Sequence, residues 1–171
     1  MSHVRPARPE DLPVLPQIEL SAANLFEGSD KPMDVLTNVS PAETWARMQA
    51  FGTVWVVDDG EPVAFLAAEV LGQDLHIWEL DVRHDRQRQG HGRRLMDHAL
   101  AWGRSRGLSQ ATLTTYRDIP WNAPFYASLG FVEMSGPDLS VRLAQVLDLE
   151  RSKGLDPAHR CAMALPLSPA P

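Results

Sequence analysis

The stretch Glu79–Leu95, E-L-D-V-R-H-D-R-Q-R-Q-G-H-G-R-R-L, constrains this chain more than any other. It starts as an apolar strand end at Leu80 and Val82. A loop follows with Gly90 and Gly92 two residues apart and five arginines between Arg83 and Arg94, and then a helical pattern begins. Glycines at a strand-to-helix turn let the backbone approach a ligand closely, and the first N–H groups of the helix have no intrahelical partner. Such a turn is a ready anion site, so a phosphate-bearing ligand is expected. Two common phosphate motifs fail. A dinucleotide fingerprint needs a third glycine where Leu95 stands and would normally open the fold, not follow three antiparallel strands; a P-loop needs Gly-Lys-Ser/Thr, and Lys31 and Lys153 both lie elsewhere.

The arginines stand against an acidic background, with a formal net charge of −6. That balance argues against general binding to nucleic acid or to an anionic membrane, and a DNA-reading helix over Arg83–Arg106 is disfavoured for the same reason. At 171 residues and 44% hydrophobic composition the chain fits one domain, residues 1–166, with a proline-rich frayed tail at 167–171. No run approaches the roughly 18 apolar residues of a membrane span, and the N-terminal residues lack the apolar core of a signal peptide. Cys161 is alone, so no intrachain disulfide forms, and no Cys/His spacing suggests a metal. A soluble protein in a reducing, cytoplasmic setting is the simplest expectation.

Taken in order, residues 3–8 read as a strand and residues 9–26 as a helix made irregular by Pro13 and Pro16. Residues 27–39 read as a long loop, of the kind that often serves as a lid or binding loop. Ser40-Pro41-Ala42-Glu43 reads as a capping box opening a helix that ends at Gly52. Asp58-Asp59-Gly60-Glu61 and Gly72-Gln73-Asp74 separate three antiparallel strands ending at Val82. The helix after Gly92 carries Leu95, Met96, Ala99, Leu100 and Trp102 on one stripe. A strand at 111–115, a short helix at 123–129, a strand at 131–134, a helix at 139–153 and a strand at 161–165 complete the pattern. The fold class is therefore α/β: a mixed, mainly antiparallel central sheet with helices on both faces. The strands at 75–82 and 111–115, joined through a helix, should be parallel neighbours, which places the glycine turn at the carboxyl end of a central strand. By alternation Leu75, Ile77, Glu79 and Asp81 share one strand face.

The segment Gln87-Arg88-Gln89-Gly90-His91-Gly92 resembles the acetyl-CoA signature of the GNAT superfamily of N-acetyltransferases, Q/R-x-x-G-x-G/A. Phe125-Tyr126-Ala127-Ser128-Leu129-Gly130-Phe131 is similar to the same family's Tyr-x-x-x-Gly-Phe, and the order and separation of the two segments agree. The resemblance implies direct, acetyl-CoA-dependent transfer of an acetyl group to an amine of a small molecule or peptide. It implies that backbone N–H groups over Arg88, Gln89, Gly90, His91, Gly92 and Arg93, after Gln87, cradle the pyrophosphate, with charge added by the arginines. Leu80, Asp81 and Val82 would offer main-chain bonds to the pantetheine arm, for which the two parallel strands must splay. Tyr126 matches the family's proton donor to sulfur, and Glu79 is the candidate base, acting through water. One departure is specific: the family often has an asparagine seven residues before the tyrosine, here Ile119, whereas Asn122 lies four before. Either the loop is remodelled so that Asn122 reaches the CoA arm, or that contact is absent.

Glu79, Asp81, Glu19, Glu27 and Asp30 together would suit a cationic acceptor, with Trp121 lining its site; the remaining tryptophans read as core. The resemblance leaves a homodimer open as an assembly. The rival from another class is a non-catalytic acyl-CoA-binding or sensor module that keeps the cradle without turnover.

Overall fold

Two tight turns at Gly60 and Gly72, both with positive φ, fold the apolar runs 54–82 into a meander. In the computed structural model, which describes residues 1–167, β1 (His3–Pro6), β2 (Val54–Asp58), β3 (Pro62–Leu71), β4 (Asp74–Val82), β5 (Gln110–Tyr116), β6 (Val132–Met134) and β7 (Arg160–Pro166) form one sheet. Its order is β1-β2-β3-β4-β5-β7-β6. Only β4 and β5 run parallel. β3 is buried on both sides, which explains its unbroken apolar run: Ala64, Leu66 and Ala68 join one core cluster, Phe65 and Ala67 the other. Helices α4 (His91–Ser105) and α5 (Ala123–Ser128) cover the first face, while α1 (Leu15–Ala23) and α3 (Ala46–Phe51) cover the second.

The parallel pair is short. β4 and β5 are joined only at Asp74–Gln110, Leu75–Ala111 and His76–Thr112, after which they part, each still paired on its other side. A polar rivet closes the narrow end of this wedge. His76 Nδ1 lies 2.9 Å from Thr112 Oγ1 and 3.2 Å from the Arg142 guanidinium of α6 (Val141–Ser152), which also pairs with Asp74 at 2.8 Å. Since arginine can only donate, Nδ1 is the acceptor and the ring is neutral. Burial first and the Arg142 charge second lower its pKa to about 3.

A bulge in β4 changes which side chains share a face. The pairing steps from Ala67–Glu79 to Ala68–Ile77 and leaves Trp78 unopposed. Leu75 and Ile77 therefore pack in the first cluster together with Leu80 and Val82. Glu79 and Asp81 turn to the opposite face, opposite Ala67 and Phe65 and toward α1. The expectation of one shared face for Leu75, Ile77, Glu79 and Asp81 fails because strict alternation cannot see an inserted residue.

Four other expectations change. The Ser40 capping box does not form: the Ser40 N–H is held at 3.1 Å by both carboxylate oxygens of Glu19, and the helix opens as a 3-10 turn at Ala42–Trp45. The stretch 27–39 contains one helical turn, α2 (Met33–Leu36). Leu167, placed in the frayed tail, is buried, its N–H donating to Ser109 O at 2.9 Å; residues 168–171 lie outside the described residues. On α4, Trp102 sits at the edge of the stripe and Gly103 takes its centre, because a Cβ there would meet Leu167 Cδ1 at 2.8 Å.

Candidate active site

The wedge between β4 and β5 opens a cleft of about 790 Å³. Its first wall is backbone. The Arg83 N–H donates to Val63 O at 2.9 Å, so by antiparallel alternation Glu79 and Asp81 present their peptide groups to β3, whereas Leu80 and Val82 present theirs to the gap. Asp81 thus differs from the expectation: its main chain is spent in the sheet. Gln87 lines the cleft, and its Nε2 donates to Val82 O at 3.1 Å, tying the loop to the strand end. Gln89 is exposed and does not line the cleft.

Arg88, at φ 60, and Gly90, at φ 81, curl the loop into the start of α4. The first α4 hydrogen bond to the loop is from Arg94 N–H to Gly90 O at 3.0 Å, which leaves the N–H groups of His91, Gly92 and Arg93 to face a ligand. A Cβ on Gly92 would lie 3.8 Å from Val82 and 3.9 Å from Phe125, so a hydrogen there keeps the passage open. These features fit the pyrophosphate and pantetheine arm of a coenzyme A. His91 is only 5% exposed with neither ring nitrogen hydrogen-bonded among the described residues. Burial, followed by the Arg94 charge, lowers its pKa and favours the neutral ring.

The five arginines separate into two sets. Arg83 pairs with Glu61 and Asp85, Arg86 with Asp59, and Arg94 binds Ser2, all holding the loop to its scaffold. Only Arg88 and Arg93 line the cleft.

Where the wedge narrows, Tyr126 and Glu79 line the same cleft from opposite sheet faces. The Tyr126 ring is set by Phe125 and Phe131, at centroid distances of 5.2 and 5.9 Å. Burial, followed by the Glu79 and Asp81 charges, pushes its phenol above the ordinary value, so it carries its proton at neutral pH. Glu79 and Asp81 share one strand face, Asp81 Oδ2 has no hydrogen-bond partner among the described residues, and Glu19 of α1 faces them. Burial raises all three carboxyls: Glu19 to about 8, helped by the Glu79 charge, and Asp81 well above its ordinary range. Like charges this close cannot all be carried at once, so the group holds protons at neutral pH. Of the two other acids expected here, Glu27 and Asp30 are exposed and stand outside the cleft.

Asn122 lines the cleft and is the residue before α5. Its Oδ1 accepts from Thr115 Oγ1 at 2.8 Å and from Tyr116 N–H at 3.4 Å, which commits the oxygen to the end of β5 and leaves the amide nitrogen to face the cleft. Ile119 is buried.

Several residues in and beside the cleft escaped the sequence reading. Lys31, outside the lining, is buried and reaches Asp118 at 2.9 Å and Asp30 at 3.2 Å, tying the segment that carries Phe26 and Val35 to the chain beyond β5. Phe26 lies 5.6 Å from Tyr116 and 5.8 Å from Trp121, forming an aromatic wall. Arg160, paired with Glu150 at 3.0 Å, also lines it. No local signal marks them, because their partners are set by the fold: Lys31 and Asp118 are 87 positions apart in sequence. Among the described residues no helix is long and apolar enough to cross a membrane, and no group of three His, Cys, Asp or Glu is arranged to hold a metal.

The fold is shared with solved acetyltransferases. The ribosomal-protein-S18-alanine N-acetyltransferase from Escherichia coli superposes with a TM-score of 0.69 at 24% identity, covering 100% of this chain and 97% of that one. N-acetylglutamate synthase from Neisseria gonorrhoeae, complexed with coenzyme A and N-acetyl-glutamate, gives 0.70 at 19% identity over 99% of this chain but 36% of its own. The PaiA N-acetyltransferase from Thermoplasma acidophilum, in complex with coenzyme A, gives 0.68 at 13% identity over 97% and 99%. The family model for the acetyltransferase (GNAT) family matches residues 19–131. That match takes in Glu19, the parting strands, the glycine turn and Tyr126 together, and the chain belongs to the GNAT acetyltransferase family.

Proposed function

We propose that this protein transfers an acetyl group from acetyl-CoA directly to a primary amine, with Tyr126 as general acid and Glu79 as base. The observation that carries the reading is the meeting of a protonated, half-buried phenol and an acid group in one cleft, beside the free peptide groups of β4. Acetyl-CoA supplies an activated thioester carbonyl and a sulfur leaving group. The chain's own groups do the rest. N–H groups of His91, Gly92 and Arg93 hold the pyrophosphate, Arg88 and Arg93 add charge, and Leu80 and Val82 hold the pantetheine arm as an added strand is held. Asn122 offers its amide nitrogen to the same arm.

As the amine nitrogen bonds to the acetyl carbon and the carbon–sulfur bond breaks, Tyr126 gives its proton to the sulfur and Glu79, through water, takes the proton lost by the amine. Asp81, on the same strand face as Glu79, adds its charge beside that carboxyl. Glu19, Glu79 and Asp81 make the acceptor end acidic, which favours acceptors that arrive as cations.

The test is Tyr126→Phe assayed by CoA release over a panel of amines, beside acetyl-CoA affinity measured directly. The expected result is a fall in kcat of about a hundredfold with affinity unchanged. Equal kcat in the variant removes Tyr126 from the acid role. A wild-type protein that binds acetyl-CoA and acetylates no amine instead supports a non-catalytic acyl-CoA-binding module.

A further inference from the structure

The acceptor end has a second polar wall, facing the acids from across the wedge. Arg160, at the start of β7, pairs in register with Tyr116 at the end of β5, and its guanidinium stacks 4.7 Å above the Tyr116 ring. Glu150 of α6 holds one edge of that guanidinium, taking Nε at 3.1 Å and Nη2 at 3.0 Å, and Nη2 also reaches Thr114 at 3.4 Å. Nη1 makes no hydrogen bond among the described residues, although the Arg160 side chain is only 12% exposed. Beside it the Tyr116 hydroxyl is buried without a partner in a residue 2% exposed that lines the same cleft. A stacked, clamped guanidinium loses little freedom on binding, and a buried hydroxyl without a partner is costly. Together they are two preset donors waiting for an oxygen.

We infer that Arg160 and Tyr116 select the acceptor, and that the acceptor is a primary amine carrying a neutral carbonyl oxygen, such as an amino-acid amide or the first residue of a peptide. The inference rests on the acetyl-transfer reading above. The amine belongs at the β4 acids beside Tyr126, and the carbonyl belongs on the β5–β7 wall. A free carboxylate is disfavoured, since Glu150 already neutralises Arg160 and three further acids line the same space. Apolar residues between the walls, among them Val35, Leu36, Trp78 and Leu155, suit an aliphatic side chain.

Leucinamide, leucine and 3-methylbutylamine form a matched set with a neutral carbonyl, a carboxylate and no oxygen at all. Measured by CoA release and compared per neutral amine, kcat/KM should be highest for leucinamide. Arg160→Lys, which keeps the charge beside Glu150 but removes the second edge of donors, should reduce the ratio of leucinamide to 3-methylbutylamine about tenfold, through KM. Tyr116→Phe, which keeps the ring in its stack, should reduce the same ratio in the same direction. Ratios unchanged in both variants overturn the inference. So does a wild-type protein that uses 3-methylbutylamine or leucine at least as well as leucinamide, or that acetylates other amines but none of these; acetyl transfer itself then still stands. Absence of CoA release with every amine overturns acetyl transfer and takes this inference with it.

Discussion

The two ends of the cleft are built by opposite means. The end proposed to hold the phosphates is one continuous stretch, Arg88–Arg93, which offers peptide N–H groups at a helix start. The end proposed for the acceptor is assembled from α1, β4, β5, α6 and β7, and it offers side chains: Glu19, Glu79, Asp81, Tyr116, Glu150 and Arg160. A backbone site tolerates changes of side chain as long as the turn survives. A side-chain site depends on each residue's partners and on how many charges it holds, so it is where one member of a fold differs from the next.

That contrast can be broken most strongly at Gly92. Gly92→Leu should raise the acetyl-CoA dissociation constant by about a hundredfold or more, because the side chain enters the passage between Val82 and Phe125 and displaces charge-assisted bonds to the pyrophosphate. The fold should hold, since leucine is a better helix former than glycine. Calorimetric binding beside a thermal melt checks both; unchanged affinity would show that the phosphates lie elsewhere.

Glu79→Gln tests the other end. CoA affinity should stay level while kcat/KM falls about a hundredfold near neutral pH, and the loss should be measured across a pH series. A rate that stays level identifies Glu79 as an acceptor-binding group, not the base.

Among the arginines the expected effects are smaller and uneven. Neutralising Arg88 and Arg93 should weaken acetyl-CoA binding a few-fold and flatten its salt dependence, as exposed charges do. Arg83, whose charge is already matched by Glu61 and Asp85, should not change the salt dependence when replaced. Titrations at low and high salt separate the two sets.

The smallest effect concerns Glu19. Its pKa lies near 4.5 when unfolded and about 8 when folded, so between those values the folded chain keeps a proton that the unfolded chain has released. Stability from this group therefore falls as pH rises from about 4.5 to about 8 and is level below and above that window. Glu19→Gln should raise Tm by a few degrees at pH 8 and leave it unchanged at pH 4, with solvent screening keeping the gain small.

Much of this was legible in the residues themselves. The turns at Gly60 and Gly72, the strand–glycine–helix sequence at 79–95 and the stripe on α4 all rest on contacts within a few positions, so periodicity and turn chemistry reach them. Where a distant group competed, local signals failed. Ser40 has the residues of a capping box, yet its N–H is taken by Glu19, 21 positions earlier. Five arginines look alike in a row, yet three are matched by Asp59, Glu61, Asp85 or Ser2 and two remain for the cleft.

The sequence by itself determined a mixed sheet with a glycine turn at the end of a central strand, because backbone conformation and burial pattern are set by neighbours along the chain. Only the tertiary structure decided the chemistry of the acceptor end. The extra residue at Trp78 turns Glu79 and Asp81 toward α1, and the pairing of β5 with β7 stacks Arg160 on Tyr116. Both depend on strand register, which joins residues far apart in the chain and which side-chain alternation alone does not specify.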